Sequence, residues 1–233
     1  MKHLKLLLYG ILRFLPGKAG AHFETKFLWA QRKLRVGAVT SKFDEALEAL
    51  EPNAICLDLG ANVGTISQRL WDKGAQVYAF EPDPWAFEQL RSRFEGCERI
   101  VIRNVAVGNK DGTATLKRDP GFSEGHEAMT QGSSLHQSLL WQDGQSDTFQ
   151  VETVDILTIL RELPGHVQIM KMDIEGAEAD VLERLLPSSE VNKVRKMFVE
   201  THEPQMPELR DRLKAIRSEV EKREKPEIYL DWV

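Results

Sequence analysis

The residues most able to do chemistry follow short apolar runs, and the first such stretch is Asp58-Leu59-Gly60-Ala61-Asn62-Val63-Gly64. Gly60 and Gly64 allow a backbone to approach a ligand closely at the start of a helix, where free N–H groups favour a carboxylate or phosphate. Glycines at this spacing also tighten purely structural turns. Glu81 follows Gly60 by 21 residues, near the ~20 expected of an acid that accepts both ribose hydroxyls. Turn, helix and spaced acid together predict nucleoside binding. Asn62 stands where a dinucleotide turn carries its middle glycine, so the backbone is not opened to a pyrophosphate. The pattern fits a cofactor with a ribose and no pyrophosphate, namely S-adenosylmethionine.

Asp173-Ile174-Glu175-Gly176 and Glu200-Thr201-His202-Glu203 supply proton acceptors, and Asn104 marks a further run's end. Methyl transfer from a sulfonium is mostly a matter of positioning, and an alcohol nucleophile must also give up a proton. His202 is the natural base at neutral pH, being close to its titration point. Its alternative reading is a structural histidine or a helix cap. Asp173 and Glu175 are two residues apart and point differently unless the chain turns between them, which Gly176 suggests. Asp173, Glu175 and His202 can alternatively hold a divalent cation; the reading adopted uses no metal.

These positions need a scaffold, and the hydropathy pattern provides one. Apolar runs at 55–59, 76–80, 100–102, 105–107, 167–172 and 196–199 read as strands, with helical patterns between them. Asp83-Pro84 is a helix start with Asp as cap and Pro in the first turn. Asp111-Gly112 predicts a hairpin joining 105–107 to 113–116, and a further strand is expected at 149–151. Helices are expected at 154–160, 177–186 and 207–223, with a terminal strand at 227–232. Such alternation implies βαβ crossovers and an α/β, doubly wound, mostly parallel Rossmann-like sheet. Ligands then sit beyond the carboxyl ends of the strands. Residues 117–150 carry glycine and serine with little periodicity, the mark of a functional lid or a disordered segment.

Apolar residues at 42% and charged ones at 29% of 233 residues exclude global disorder, collagen and a multi-span membrane protein. A net charge of −5 argues against nucleic-acid binding. The charge is unevenly spread: residues 1–36 carry eight Lys/Arg against Glu24 alone, leaving 23 basic and 35 acidic residues elsewhere. Residues 1–36 are therefore taken as a basic N-terminal arm and 37–233 as the catalytic domain. Leu4, Leu7, Leu8, Ile11 and Leu15 recur at helical spacing before Pro16-Gly17, an amphipathic helix expected to pack on the protein's own body. Weak contact of residues 1–15 with a membrane surface is the alternative. Cys56 and Cys97 form no CxxC pair, so a reduced, cytoplasmic protein is expected, with a peripheral position at the inner face of a membrane left open.

Asp58-Leu-Gly-Ala-Asn-Val-Gly64, Phe80-Glu-Pro82, Asn104-Val-Ala106, Ser133-Ser134 and Lys171-Met-Asp-Ile-Glu-Gly-Ala-Glu178 together resemble the FkbM-type family of class I S-adenosylmethionine methyltransferases, over roughly residues 52–203. The resemblance implies O-methylation of a hydroxyl on a sugar, glycolipid or secondary metabolite, with a small-molecule or glycan acceptor. The cofactor contacts expected are Asp58, Gly60, Ala61, Asn62, Gly64, Glu81, Asn104, Ala106 and Ser134, and the catalytic residues expected are Asp173, Glu175 and His202. The chain departs from the class in having one strand after its last helix, where two are common. Two other classes stay open: an NAD(P)-binding oxidoreductase, disfavoured by Asn62, and a non-catalytic nucleotide-binding or membrane-associated protein that kept the fold.

Overall fold

A computed structural model describes residues 2–118, 147–203 and 206–232. Two helices open the chain, α1 (Lys2–Leu12) and α2 (Gly17–Glu48). Strands and helices then alternate: β1 (Ile55–Leu59), α3 (Thr65–Asp72), β2 (Gln76–Phe80), α4 (Pro84–Arg93) and β3 (Ile100–Arg103). Three strands follow, β4 (Ala106–Gly108), β5 (Gly112–Lys117) and β6 (Thr148–Asp155). The chain continues through α5 (Ile156–Glu162), β7 (Val167–Met172), α6 (Glu178–Leu185), β8 (Val194–Val199), α7 (Arg210–Val220) and β9 (Glu227–Tyr229).

The main sheet has the order β3-β2-β1-β7-β8-β9, with every neighbouring pair parallel. The order reverses between β1 and β7, which makes that junction the switch point where such sheets bind ligands. Register sharpens this: Leu59 lies beside Phe80 on one flank and Met172 on the other. Three strands therefore end level, and the loops after them open side by side.

Both faces of the sheet are covered, which is why its central strands are apolar almost throughout. On one face Leu57, Leu59, Met170, Met172 and Val199 pack with Ile156 and Leu160 of α5, Leu182 and Leu185 of α6 and Ile216 of α7. On the other, Cys56, Val77, Ala79, Ile169 and Phe198 meet Phe43 and Leu47 of α2, Leu70 of α3 and Leu90 of α4. Phe43 lies edge-on to Phe198 at 5.0 Å and tilted against Trp232 at 5.4 Å. Aromatic pairs of this kind add ~0.5–1.5 kcal/mol each beyond their burial. They fix the end of α2 to the sheet. The doubly wound architecture is the one expected.

Three local expectations need correction. The Asp111-Gly112 turn does not fold β5 onto β4. Instead β6 lies between them, parallel to β4 and antiparallel to β5, in a second, three-stranded sheet. The Asp111 carboxylate accepts from the Asp155 N–H at 2.8 Å and the Thr158 hydroxyl at 3.3 Å, which ties the turn to the start of α5. Second, α2 runs unbroken through residue 36, where the charge balance changes. Third, α1 does not turn its apolar stripe to the body: Leu7, Leu8, Ile11, Phe14 and Leu15 are exposed. Tyr9, Gly10 and Arg13 meet α2 in their place, because a glycine and flat rings allow the closer approach. Most of the segment at 117–150 lies outside the described residues.

Candidate active site

The end of β1 supplies one half of the site. Leu57 and Leu59 enter the core on one face, so strand alternation turns Asp58 to the other. That carboxyl is fully buried. Its Oδ2 accepts from the Ser67 hydroxyl at 2.7 Å, and its Oδ1 lies 3.3 Å from the Lys171 ammonium. Beyond it the backbone of Gly60, Asn62 and Gly64 is left-handed. Both glycines leave room for other parts of the chain. A Cβ on Gly60 would lie 1.7 Å from the Asp173 carbonyl oxygen, and one on Gly64 2.6 Å from Leu90. The turn is thus pressed against the loop after β7. The N–H groups of Gly60 and Ala61 both donate to the Phe80 carbonyl.

Glu81, at the end of β2, closes this half. Its Oε2 accepts from the Asn62 N–H at 2.7 Å and its Oε1 from the Asp83 N–H at 2.8 Å. Burial pushes its pKa up to about 7, against the pull of those two N–H groups. Each carboxylate oxygen has room for a second donor, so the group suits a pair of ribose hydroxyls. Asn104 holds the peptide that carries Glu81: its amide donates to the carbonyls of Glu81 at 2.8 Å and Pro82 at 3.2 Å. Asp83 caps α4 as expected, accepting from the N–H groups of Trp85 and Ala86. Arg118 also grips Asp83, through two bonds of 2.8 Å. Ala106 lies elsewhere, its side chain buried with Leu116 and Val151 in the smaller sheet. Ser134 lies outside the described residues.

The other half follows β7 and β8. Glu175 adopts a left-handed φ of 53° and Gly176 one of 105°, so the chain turns back within two residues of Asp173. That reversal brings both carboxylates to one imidazole. His202 Nε2 lies 3.2 Å from Glu175 Oε2 and 3.9 Å from Asp173 Oδ1, while Nδ1 lies 3.2 Å from Glu178 Oε1. Glu178, in the first turn of α6, is itself buried and accepts from the N–H groups of Ile174 at 2.8 Å and Gly176 at 2.9 Å. It braces the turn and the histidine together. Asp173 Oδ1 is buried and has no hydrogen-bond partner.

Lys171 joins the two halves. Its ammonium is only 4% exposed, donates to the Leu59 and Gly60 carbonyls, and stands 3.7 Å from Asp173 as well as beside Asp58. Burial opposes its charge, but Asp58 and Asp173 outweigh that and raise its pKa. His202 behaves alike: burial works against protonation, yet Glu178 and Glu175 hold its pKa well above the usual value. Both ring nitrogens thus face carboxylates, Nε2 towards Glu175 and Nδ1 towards Glu178. The sequence places His202 near its ordinary titration point; Glu178 and Glu175 hold it above that. Glu175 is pushed up to about 7 by burial, with His202 pulling the other way.

The same cluster has the composition of a divalent-cation site. Asp173, Glu178 and His202 each present a ligand atom, all within 4.8 Å of one another. A cation there would displace the imidazole proton and compete with the backbone N–H groups that already occupy Glu178.

Residues 58–225 match the model of the methyltransferase FkbM domain. The chain belongs to the FkbM methyltransferase family. The match begins at Asp58 and takes in both halves of the site. Among individual proteins, the chain is 27% identical over 158 residues to the hexuronic acid methyltransferase AglP of Haloferax volcanii, covering 67% of this chain and 59% of that protein. It is 27% identical over 139 residues to the 2-O-methyltransferase NoeI of Sinorhizobium fredii, covering 57% of each. A third match, to Methyltransferase 1 of Beauveria bassiana, is 27% identical and covers 57% of this chain and 59% of that one. The chain thus spans less than three fifths of the relatives it matches.

Within the FkbM domain the structure brings Asp58, Gly60, Ala61, Asn62, Gly64 and Glu81 to one edge of the sheet, and Asp173, Glu175 and His202 beside them. Lys171, Glu178 and Arg118 were not among the site residues expected from sequence. A lysine inside the apolar run Val167-Gln-Ile-Met-Lys-Met172 is the signal that marks Lys171, since a buried lysine needs a carboxylate.

Proposed function

We propose that this protein is an S-adenosylmethionine-dependent O-methyltransferase whose acceptor is a hydroxyl on a sugar or sugar-bearing molecule. One observation carries the reading: Lys171 and the Gly60–Asp173 contact press a ribose-type cofactor turn directly against a carboxylate–histidine cluster at the switch point. Family membership supports the chemistry. The printed activities of the relatives, on hexuronic acid and at a 2-O position, support the acceptor class.

The cofactor, when bound, supplies an electrophilic methyl group on a sulfonium. Glu81 accepts the ribose hydroxyls, and the turn from Asp58 to Gly64 lies along the same edge. Asp173, whose side chain is 26% exposed, takes the hydroxyl proton of the acceptor. Glu175 holds the acceptor, and Lys171 and His202 stand 3.7 and 3.9 Å from the Asp173 carboxylate. Side-by-side calorimetric titration with S-adenosylmethionine and NAD tests the cofactor. Binding of the first alone is expected; binding of NAD alone, or of neither, overturns the reading.

A further inference from the structure

We propose that α1 is an interfacial anchor, laying residues 7–15 on a bilayer that carries anionic lipids. The helix meets α2 through its small, aromatic and cationic face. The Tyr9 ring lies 6.2 Å from that of Phe23, and a Cβ on Gly10 would lie 3.2 Å from the Phe27 ring. The Arg13 guanidinium sits 4.4 Å over Phe27, and the Lys26 ammonium 5.9 Å from the Tyr9 ring. What remains outward is apolar. Leu7, Ile11 and Phe14 are 67%, 71% and 77% exposed, and Leu8 and Leu15 are exposed beside them. A hairpin that met only water would gain by the opposite arrangement, with its leucines inside. Among the described residues Val101 alone adds to these five as an exposed large hydrophobic. The apolar exposure is concentrated in one patch, and such patches mark interaction surfaces.

Charge decides which surface. Lys5 and Lys18 are exposed near the patch, and residues 1–36 carry eight Lys/Arg against one acid, while the rest of the chain is acidic. A second copy of this helix would set the same cations against each other. An anionic bilayer offers both complements, an acyl boundary for the apolar face and headgroups for the lysines. It also repels the acidic body, which orients the protein with its arm toward the lipid. Eleven residues make a helix of ~16 Å against a hydrocarbon core of ~30 Å. No described helix is long and apolar enough to cross a membrane, so α1 lies on the surface.

The proposal is independent of the catalytic reading, and its test needs no substrate. The full chain is sedimented with vesicles of phosphatidylcholine alone, and with vesicles containing about one quarter phosphatidylglycerol. Binding to the anionic vesicles, released as salt rises from about 0.05 to about 0.5 M, is expected. Ile11→Glu with Phe14→Glu alters exposed side chains, so melting should be unchanged while vesicle binding falls at least tenfold; Lys5→Glu with Lys18→Glu should weaken it in the same direction. No binding to anionic vesicles overturns the proposal, as does binding that the Ile11/Phe14 variant retains. Self-association of the free chain in light scattering, abolished by that variant without any vesicle binding, would assign the patch to a second copy and equally overturn it.

Discussion

Removing the Lys171 ammonium should cost both stability and cofactor affinity, and Lys171→Met is the cleanest way to do it. Methionine keeps most of the apolar stem and deletes only the charge. Asp58 is fully buried and Lys171 4% exposed, so the pair has almost no water to fall back on. Without the ammonium, Asp58 keeps the Ser67 hydroxyl at 2.7 Å but loses its cation at 3.3 Å. Asp173 loses its own at 3.7 Å, and the Leu59 and Gly60 carbonyls lose a donor. Breaking a buried pair from one side costs ~3–5 kcal/mol. In a domain of this size each kcal/mol lowers Tm by ~2–4 °C, so a fall of about 6–20 °C is expected. Urea unfolding of Lys171→Met, Asp58→Asn and the double variant separates the pair from its surroundings. The double variant should be more stable than the sum of the single losses by ~0.5–3 kcal/mol. A loss below ~1 kcal/mol in Lys171→Met, or strict additivity, would refute the claim that this lysine holds the two halves together.

Glu81→Ala should weaken S-adenosylmethionine binding by ~1.5–3 kcal/mol, roughly ten- to a hundredfold, as read by calorimetry. Because burial raises Glu81 from 4.5 to about 7, the folded state binds this proton more tightly than the unfolded chain. Its contribution to stability is full below pH 4.5 and is lost as pH rises through about 7; Glu81→Gln should flatten that part of the urea-unfolding profile. Asp173→Asn should bind the cofactor nearly normally and lose about a hundred- to ten-thousandfold in turnover, whereas turnover that survives would remove Asp173 as the base. Gly60→Ala, at a φ of 74° and against the Asp173 carbonyl, should lose more than the ~1–2 kcal/mol that left-handed backbone alone costs a non-glycine residue, measured by the same unfolding.

The scaffold was legible where one local rule decides it. The strands at 55–59, 76–80 and 167–172 are apolar runs stopped by glycine, proline or an acid, and the structure has them with those bounds. Asp83-Pro84 announces its helix by cap and ring alone. What escaped depends on distant chain. The Asp111-Gly112 hairpin signal is local, whereas β6, which takes the place beside β4, arrives after residues 119–146. Lys171 meets Asp58 only because β7 lies against β1 in a register that sets those two residues side by side. The helix α2 hid because its apolar residues do not keep to one face over Gly17–Glu48. At the site, Asp173, Glu175 and His202 could be named from type and spacing. That His202 faces three carboxylates could not, since Glu178 comes to it from another element.

Arg118 has a consequence that reaches past the pair it forms with Asp83. Its N–H donates to the Asp147 carbonyl at 3.0 Å, and the neighbouring Lys117 is paired with Thr148. The chain therefore leaves for residues 119–146 and returns at the same point, and that point is bolted to the cap of α4, two residues past Glu81. Closing a loop on such a fixed stem is a weak function of its length: doubling it costs only ~0.6 kcal/mol. The anchor beside Glu81 belongs to the stem residues Arg118 and Asp147. In engineering terms Arg118 and Asp147 form a socket, fixed to the cap of α4 beside Glu81.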